Sequence, residues 1–214
     1  MGTVSTASEL AQSGPLAEPR ICCLDLDTFF VSVERLLDPS LEGKAVVVGG
    51  KPGSRGVVTA ASYEVRRLGV KSGMSLIEAG KLAPDAMYLP TRGEIYGDYA
   101  ERVREIARRY SPIVVVASID EMFLDFSGCE RLYGRPDDEN ANAAIERAVL
   151  GMTGAIDAEL GLPASAGIAT SRVMAKVASS ITPRGLARLD ATFAITLLVA
   201  MPALAGRPDR KSVV

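Results

Sequence analysis

The 214-residue chain contains no histidine. This absence excludes catalytic triads that use imidazole, zinc sites with histidine ligands and imidazole general bases. Any catalysis therefore has to use carboxylates, lysines, hydroxyls or thiols. Cysteine is scarce as well: Cys22, Cys23 and Cys129 form no CxxC pair and no even-numbered set. This pattern favours a reduced, cytoplasmic protein over one stabilised by disulfides.

The sequence also lacks a long apolar run and an excess of basic charge. Its most apolar late stretch, residues 193–205, is too short to span a membrane and contains Pro202. Residues 1–20 lack the basic segment and apolar core of a signal peptide, so we expect a disordered extension there and no membrane partner. The 24 basic and 26 acidic residues give a net charge of −2. Bulk charge thus gives no sign of nucleic-acid binding, although a local basic groove is compatible with it.

With 48% hydrophobic and 23% charged residues, the chain has the composition of an ordinary globular protein. Strand-like apolar runs bounded by turn residues occur at 21–25, 45–48, 56–61, 113–118, 122–126 and 164–169. Helical patterns occur at 29–37, 62–68, 75–82, 94–110, 141–160 and 171–180.

The order of these elements predicts the fold class. When residues 28–92 are set aside, the order is strand, helix, strand, strand, helix, strand, which is typical of a ferredoxin-like sheet. The sequence therefore predicts an α/β (α+β) protein, a ferredoxin-like sheet with a small α/β subdomain inserted after its first strand. The first and third strands pair at the centre of such a sheet, so the end of strand 21–25 is expected beside the corner at 119–121.

Acidic side chains occur at both of these places. Asp25 and Asp27 follow the first strand, and Asp120 and Glu121 form the corner. Clustered carboxylates repel one another unless a cation neutralises them, and oxygen ligands without histidine or cysteine favour Mg²⁺. The pattern favours a metal role for Asp25, Asp120 and Glu121 over the alternative of solvated strand-end acids. Asp27 or Thr28 is expected to cap the helix at 29–37, and for Asp27 this capping role is favoured over a metal role.

Four sequence blocks, at residues 25–34, 56–74, 118–125 and 167–179, resemble the signature blocks of Y-family (translesion) DNA polymerases, in order and at compatible spacings. The bacterial DNA polymerase IV group is the most similar. The resemblance covers about residues 20–206. It implies a palm at 21–27 and 93–185, fingers at 28–92, the start of a thumb at 186–206, and a tail at 207–214 outside the family pattern. We therefore expect a fragment that lacks most of the thumb and the whole little finger.

The resemblance also implies an activity, which is damage-bypass DNA synthesis by nucleotidyl transfer from a dNTP to a primer 3′-hydroxyl, with two Mg²⁺ ions as cofactors. Primer–template DNA and dNTP would be the partners of a monomeric protein, with a sliding clamp as a possible partner of the longer protein. Asp25, Asp120 and Glu121 would be the catalytic carboxylates. These three side chains and the backbone carbonyl of Leu26 would bind the metal ions.

The same blocks imply a nucleotide site. The residues expected to contact the incoming nucleotide are Phe29, Phe30, Tyr63 and Arg66. Phe30 corresponds to the steric gate, a ring that excludes a ribose 2′-hydroxyl. Without the resemblance, the helical spacing of Phe30, Val33 and Leu37 indicates a core residue equally well. Arg66 would likewise be an ordinary surface arginine. Lys176 is compatible with a phosphate contact or with a simple helix surface.

The chain departs from the family pattern at several positions. The segment before Gly185 is one residue short and lacks the lysine that usually precedes Pro183 and contacts the triphosphate. Ala60 stands where many members have threonine, and Val115 stands where an acid is usual. Two alternatives accompany the polymerase hypothesis: a non-catalytic relative that acts as a scaffold in DNA repair, and another palm-fold nucleotidyl enzyme. The intact set of Asp25, Asp120 and Glu121 argues against the scaffold.

Overall fold

Two β-sheets, one of five strands and one of three, organise the part of the chain that the structure describes. The structure, a computed structural model, describes residues 19–136, 138, 140–181 and 185–189. The strands are β1 (Ile21–Leu26), β2 (Val46–Val48), β3 (Ala60–Ala61), β4 (Met87–Leu89), β5 (Ile113–Val116), β6 (Glu121–Asp125), β7 (Ala164–Ala169) and β8 (Leu186–Arg188). The helices are α1 (Phe29–Leu37), α2 (Tyr63–Arg66), α3 (Leu76–Leu82), α4 (Gly93–Arg108), α5 (Glu130–Tyr133), α6 (Ala141–Leu160) and α7 (Arg172–Ile181), with a 3₁₀ turn at Pro39–Leu41.

The five-stranded sheet has the order β5-β6-β1-β7-β8. β1 pairs antiparallel with both β6 and β7, and β5 pairs antiparallel with β6. The first four strands of this sheet thus have the ferredoxin-like arrangement, so the predicted fold class is confirmed. β8 lies parallel to β7 at the edge. Its residues, which the resemblance assigns to the start of a thumb, therefore lie in the main sheet.

The central strand β1 is apolar because both of its faces are covered. Cys22 and Leu24 belong to the main core, which α4 and α6 also supply, while Cys23 packs with residues of α7 such as Ala175 and Ala178. Buried strands of this kind read as continuous apolar runs rather than as alternating ones. All three cysteines of the chain are buried free thiols.

The helix α7 packs closely against β7 because of Gly167. A Cβ atom at this position would overlap the backbone carbonyl of Ala175 and the backbone nitrogen of Ser179. A glycine in the strand therefore sets the distance between α7 and the sheet. This distance matters for the site, because α7 carries Lys176.

The inserted subdomain has its own sheet, with the order β3-β2-β4, and its own small core. The predicted strand at 56–61 is mostly wrong, since only Ala60–Ala61 pair with β2. Val57 and Val58 pair with the segment before α3 and not with β2. Val57 forms a β-bridge with Ser75, and the Val58 N–H donates to the Met74 carbonyl at 2.7 Å. The prediction that Ser75 caps α3 is confirmed, since its Oγ accepts from the Ile77 N–H at 3.2 Å.

Several predicted segments lie outside the described residues: most of the N-terminal extension (1–18), the segment 182–184 with the shortened lysine motif, and the thumb and tail from residue 190 onwards. Within the part of the chain that the structure describes, no helix is long and apolar enough to cross a membrane.

Candidate active site

Two acidic residues that are far apart in sequence face each other across the central strand pair. Asp25, near the end of β1, lies directly opposite Glu121, the first residue of β6. The neighbouring Leu26 N–H donates to the backbone carbonyl of Asp120 at 2.9 Å, which ties the corner to the end of β1. The ferredoxin-like topology thus brings the three predicted carboxylates together, as the order of strands and helices predicts.

A cleft of about 180 Å³ opens at this end of β1. It is lined by Asp25, Leu26, Asp27, Thr28, Phe29, Phe30, Thr59, Ala60, Tyr63, Arg66, Ser72 and Asp120. The inserted subdomain contributes one wall and the main sheet contributes the floor. Every residue predicted for metal or nucleotide binding lines this cleft except Glu121.

The carboxylates of the cleft repel one another. Burial, together with the negative charges of Asp120, Glu121 and Asp27, raises the pKa of Asp25 from its ordinary value of 3.8 to about 6, although Lys176 acts in the opposite direction. Asp120 accepts a hydrogen bond from the Ser118 hydroxyl at 2.5 Å. A cation placed between the two aspartates would relieve this repulsion.

Glu121 has a cation partner within the protein. Its carboxylate is 8% exposed and accepts a hydrogen bond from the Lys176 ammonium group, while the Cys23 thiol lies 3.9 Å from its other oxygen. This hydrogen bond raises the pKa of Lys176. Lys176, for which the sequence is compatible with a phosphate contact or a simple helix surface, therefore pairs with Glu121. Glu121, which pairs with Lys176, is the predicted metal-binding residue that does not line the cleft.

The donor chemistry of the cleft suits a hard divalent cation. Among the described residues, no three histidine, cysteine, aspartate or glutamate side chains are arranged to enclose a metal ion. Mg²⁺ does not need such a cage, because it completes its coordination with water and substrate phosphates around one or two carboxylates. Asp25 and Asp120, both facing the cleft, supply that number.

The predicted capping role of Asp27 is wrong. Thr28 is the N-cap of α1, in a left-handed backbone conformation (φ 44°), and its side chain does not cap the helix. The carboxylate of Asp27 instead accepts a hydrogen bond from the Ser165 hydroxyl on β7 at 2.9 Å, and its backbone carbonyl accepts one from Ser32 at 2.8 Å. These contacts fix the loop between β1 and α1. Asp27 therefore lines the cleft and does not cap the start of the helix.

The residues predicted to contact a nucleotide line the same cleft as Asp25 and Asp120. The exposed guanidinium of Arg66 lies 5.3 Å from the centre of the Tyr63 ring, and its Nε donates to the Ala61 carbonyl at 2.8 Å. Phe30 is half-buried at the cleft, whereas Phe29 is almost fully buried, with the two ring centres 5.5 Å apart. Phe30 therefore combines a core contact with a cleft surface.

Two hydroxyl side chains that lie between β2 and α3 and line the cleft, Thr59 and Ser72, were not predicted as site residues. Thr59 lies 3.1 Å from Thr91, oxygen to oxygen. Both missed residues lie inside the block at 56–74, which is the signal that points to them. Their individual positions in the cleft depend on how the loop around β3 folds back, and no local pattern specifies that.

Comparison with known proteins identifies the family. Residues 24–180 match the model of the impB/mucB/samB family. The chain belongs to this family of Y-family DNA polymerases. Similar relatives are named DNA polymerase IV: one from Dehalococcoides mccartyi is 42% identical over 164 residues (77% of this chain, 40% of the relative), and one from Desulfatibacillum aliphaticivorans is 41% identical over 172 residues (80% and 41%). The chain thus spans about 40% of the length of these relatives.

Solved structures agree with this family membership. A Y-family DNA polymerase chimera of Dbh and Dpo4 superposes with a TM-score of 0.74 at 32% identity, covering 84% of this chain and 51% of the chimera. DinB from Sulfolobus solfataricus gives 0.73 at 32% identity, covering 84% and 50%. The predicted family and the predicted palm-and-fingers type of fold are confirmed. Polymerases of this family depend on divalent metal ions.

Proposed function

We propose that this chain is the catalytic and nucleotide-binding part of a translesion DNA polymerase. The observation that carries the proposal is that Asp25 and Asp120 line one cleft together with Phe30, Tyr63 and Arg66. The substrates would be a dNTP and primer–template DNA. A structural neighbour is described as an insertion ternary complex of Dbh DNA polymerase, which supports these partners.

We assign Asp25, Asp120, Glu121 and the backbone carbonyl of Leu26 to metal binding. The chemistry that two bound Mg²⁺ ions supply is activation of the primer 3′-hydroxyl and stabilisation of the leaving pyrophosphate. The aspartates also orient the reacting groups, because they project from the rigid end of β1 and from the corner tied to it. Glu121 is the third carboxylate, and Lys176 neutralises it in this structure.

Arg66 would bind the triphosphate, since a guanidinium binds phosphate oxygens through two parallel hydrogen bonds. Its Nε already donates to the Ala61 carbonyl, so the two terminal nitrogens would be the donors to phosphate. Phe30 would lie against the sugar and clash with a 2′-hydroxyl. A monomeric, cytoplasmic protein remains our expectation, as does clamp binding by the longer protein.

Primer extension tests this proposal. A labelled primer–template, Mg²⁺ and four dNTPs are incubated with the wild type, with Asp120→Ala and with Asp98→Ala, a matched control at an exposed position of α4. We expect extension by the wild type and the control and a loss of at least about a thousandfold in Asp120→Ala. Circular dichroism shows that each variant is folded. Near-normal extension by Asp120→Ala would contradict the metal assignment, and a folded wild type that neither extends primers nor binds dNTP would contradict the proposed function of this chain.

A further inference from the structure

A buried polar cluster lies directly behind the cleft. Glu34 on α1 is only 2% exposed. Its Oε1 accepts hydrogen bonds from the Tyr96 hydroxyl at 2.6 Å and from Arg92 Nε at 2.9 Å, and its Oε2 accepts one from the Arg92 Nη2. Buried carboxylates are costly unless their lone pairs are satisfied, and here three donors satisfy Glu34. The cluster joins α1 to the start of α4.

This cluster reaches the cleft through one aromatic contact. The ring of Tyr96, which is fully buried, stacks on the ring of Phe30 with a centre-to-centre distance of 4.3 Å and an interplanar angle of 15°. Phe30 and Glu34 are four residues apart on α1, so they lie on the same side of the helix. The Tyr96 side chain is therefore held by two contacts: its ring face stacks on Phe30, and its hydroxyl donates to Glu34.

The position of the Phe30 ring consequently depends on residues that do not touch the cleft. Phe30 is half-buried and has the Phe29 ring beside it at a tilted angle of 46°. Neither Glu34 nor Tyr96 lines the cleft. A displacement of the Tyr96 ring would remove the surface on which Phe30 rests, and the cleft wall would move with it.

We infer that Glu34 is a positioning residue for sugar discrimination: by fixing the Tyr96 hydroxyl, it holds the ring of Phe30 at the cleft wall where the nucleotide sugar would lie. The selectivity part of this inference rests on the proposed function. The claim that Glu34 positions the Phe30 ring through Tyr96 does not depend on the proposed function, because it concerns only contacts inside the folded chain.

A purely structural ion pair is the competing explanation. If Glu34 served only to join α1 to α4 through Arg92, its replacement would lower stability without a specific effect on Phe30. The two explanations differ in what happens to a single ring. A local readout at Phe30 therefore separates them, and a matched ion-pair control is available at Glu101, which pairs with Arg104 and Arg108 on the surface of α4.

The first experiment is NMR of the 214-residue chain with ring-labelled phenylalanine. The chain has five phenylalanines, and the Phe30 signal is assigned by its disappearance in Phe30→Leu. We expect an upfield ring-current shift of Phe30 in the wild type, loss of that shift in Tyr96→Leu, and displacement or broadening of the signal in Glu34→Gln. Glu101→Gln should leave the signal unchanged. A folded Glu34→Gln protein with an unchanged Phe30 signal overturns the inference.

The variant Tyr96→Phe provides a second test if Glu34→Gln does not fold. It keeps the stacked ring and removes only the hydrogen bond to Glu34. We expect the Phe30 signal to broaden or move in this variant too, because the ring of residue 96 is then free to rotate or tilt. A Phe30 signal identical to that of the wild type would show that the hydroxyl contact does not position the ring, and the inference would be wrong.

The second experiment compares kcat/KM for dATP and ATP in primer extension. We expect Glu34→Gln to lower the preference for dATP by about tenfold and Glu101→Gln to leave it unchanged. An unchanged preference in an active Glu34→Gln protein overturns the inference and leaves the proposed function intact. If the wild type itself does not extend primers, that result contradicts the proposed function, and the NMR signal of Phe30 still decides whether Glu34 positions the ring.

Discussion

Lys176 on α7 donates a hydrogen bond to Glu121, the residue directly across the strand pair from Asp25. The lysine side chain is 58% exposed, whereas the glutamate is almost fully buried. An exposed cation thus neutralises a buried carboxylate that already has two acidic neighbours. The state of the site therefore depends on α7, an element that contributes nothing to the cleft wall.

Replacing Lys176 should destabilise the protein. Lys176→Met leaves the buried Glu121 without its cation, so we expect the free energy of unfolding in urea at pH 7 to fall by about 1–2 kcal/mol. The double variant with Glu121→Gln should regain most of this loss. Lys81→Met, at an exposed position on α3, is the control and should change stability by less than about 0.5 kcal/mol. Equal effects at the two lysines would contradict this account of the ion pair.

The pH dependence of stability should report on Asp25. Its pKa of about 6 in the folded protein exceeds the ordinary value of 3.8, so the folded state keeps a proton that the unfolded state has already released. The stabilisation is fully present below pH 3.8 and is lost as the pH rises through about 6. In EDTA, the melting temperature of the wild type should therefore fall relative to that of Asp25→Asn across this interval.

The control for this experiment is Asp98→Asn, which removes an exposed carboxylate from α4. Its melting temperature should follow that of the wild type at every pH. Mg²⁺ added above pH 6 should stabilise the wild type more than Asp25→Asn, because a bound cation offsets the repulsion among the carboxylates. Parallel curves for the wild type and Asp25→Asn would show that Asp25 is not perturbed by its neighbours.

Gly167 should not tolerate a side chain. In Gly167→Ala, the new methyl group would overlap the backbone of α7, so we expect a loss of about 2–3 kcal/mol in the free energy of unfolding. Gly154→Ala is the matched control, because a Cβ atom there meets nothing within 4 Å and alanine favours the helix α6. This variant should be more stable by about 0.5–1 kcal/mol. A neutral Gly167→Ala would mean that α7 lies further from β7.

Arg66 should determine the affinity for the triphosphate. Because Arg66 lines the cleft and Arg67 does not, Arg66→Ala should raise the KM for dNTP by about tenfold or more, and Arg67→Ala should have little effect. Steady-state primer extension at varied dNTP concentrations measures both variants. If both arginines changed the KM equally, the effect would come from general charge rather than from a phosphate contact, and the assignment of Arg66 would be wrong.

Apolar runs and helical spacing in the sequence were sufficient to predict the fold class. Helical spacing predicted α4 and α6, because a helix with one buried face repeats its apolar residues every three to four positions. Apolar runs predicted β1 and β7, because all of their residues are buried or partly buried. The element order then specified the pairing of β1 with β6. The three-residue strand β4 was missed, because a strand this short, with an exposed first residue, has no detectable period.

By itself, the sequence determined the order of the four ferredoxin-like strands, the family and the meeting of Asp25 with the corner at 120–121, since these follow from local patterns and motifs. Only the tertiary structure decided which partner each side chain has. Glu121 pairs with Lys176, Asp27 accepts from Ser165, and Phe30 stacks on Tyr96. Such contacts join residues that are distant in the chain, and their geometry depends on how closely helices pack on the sheet.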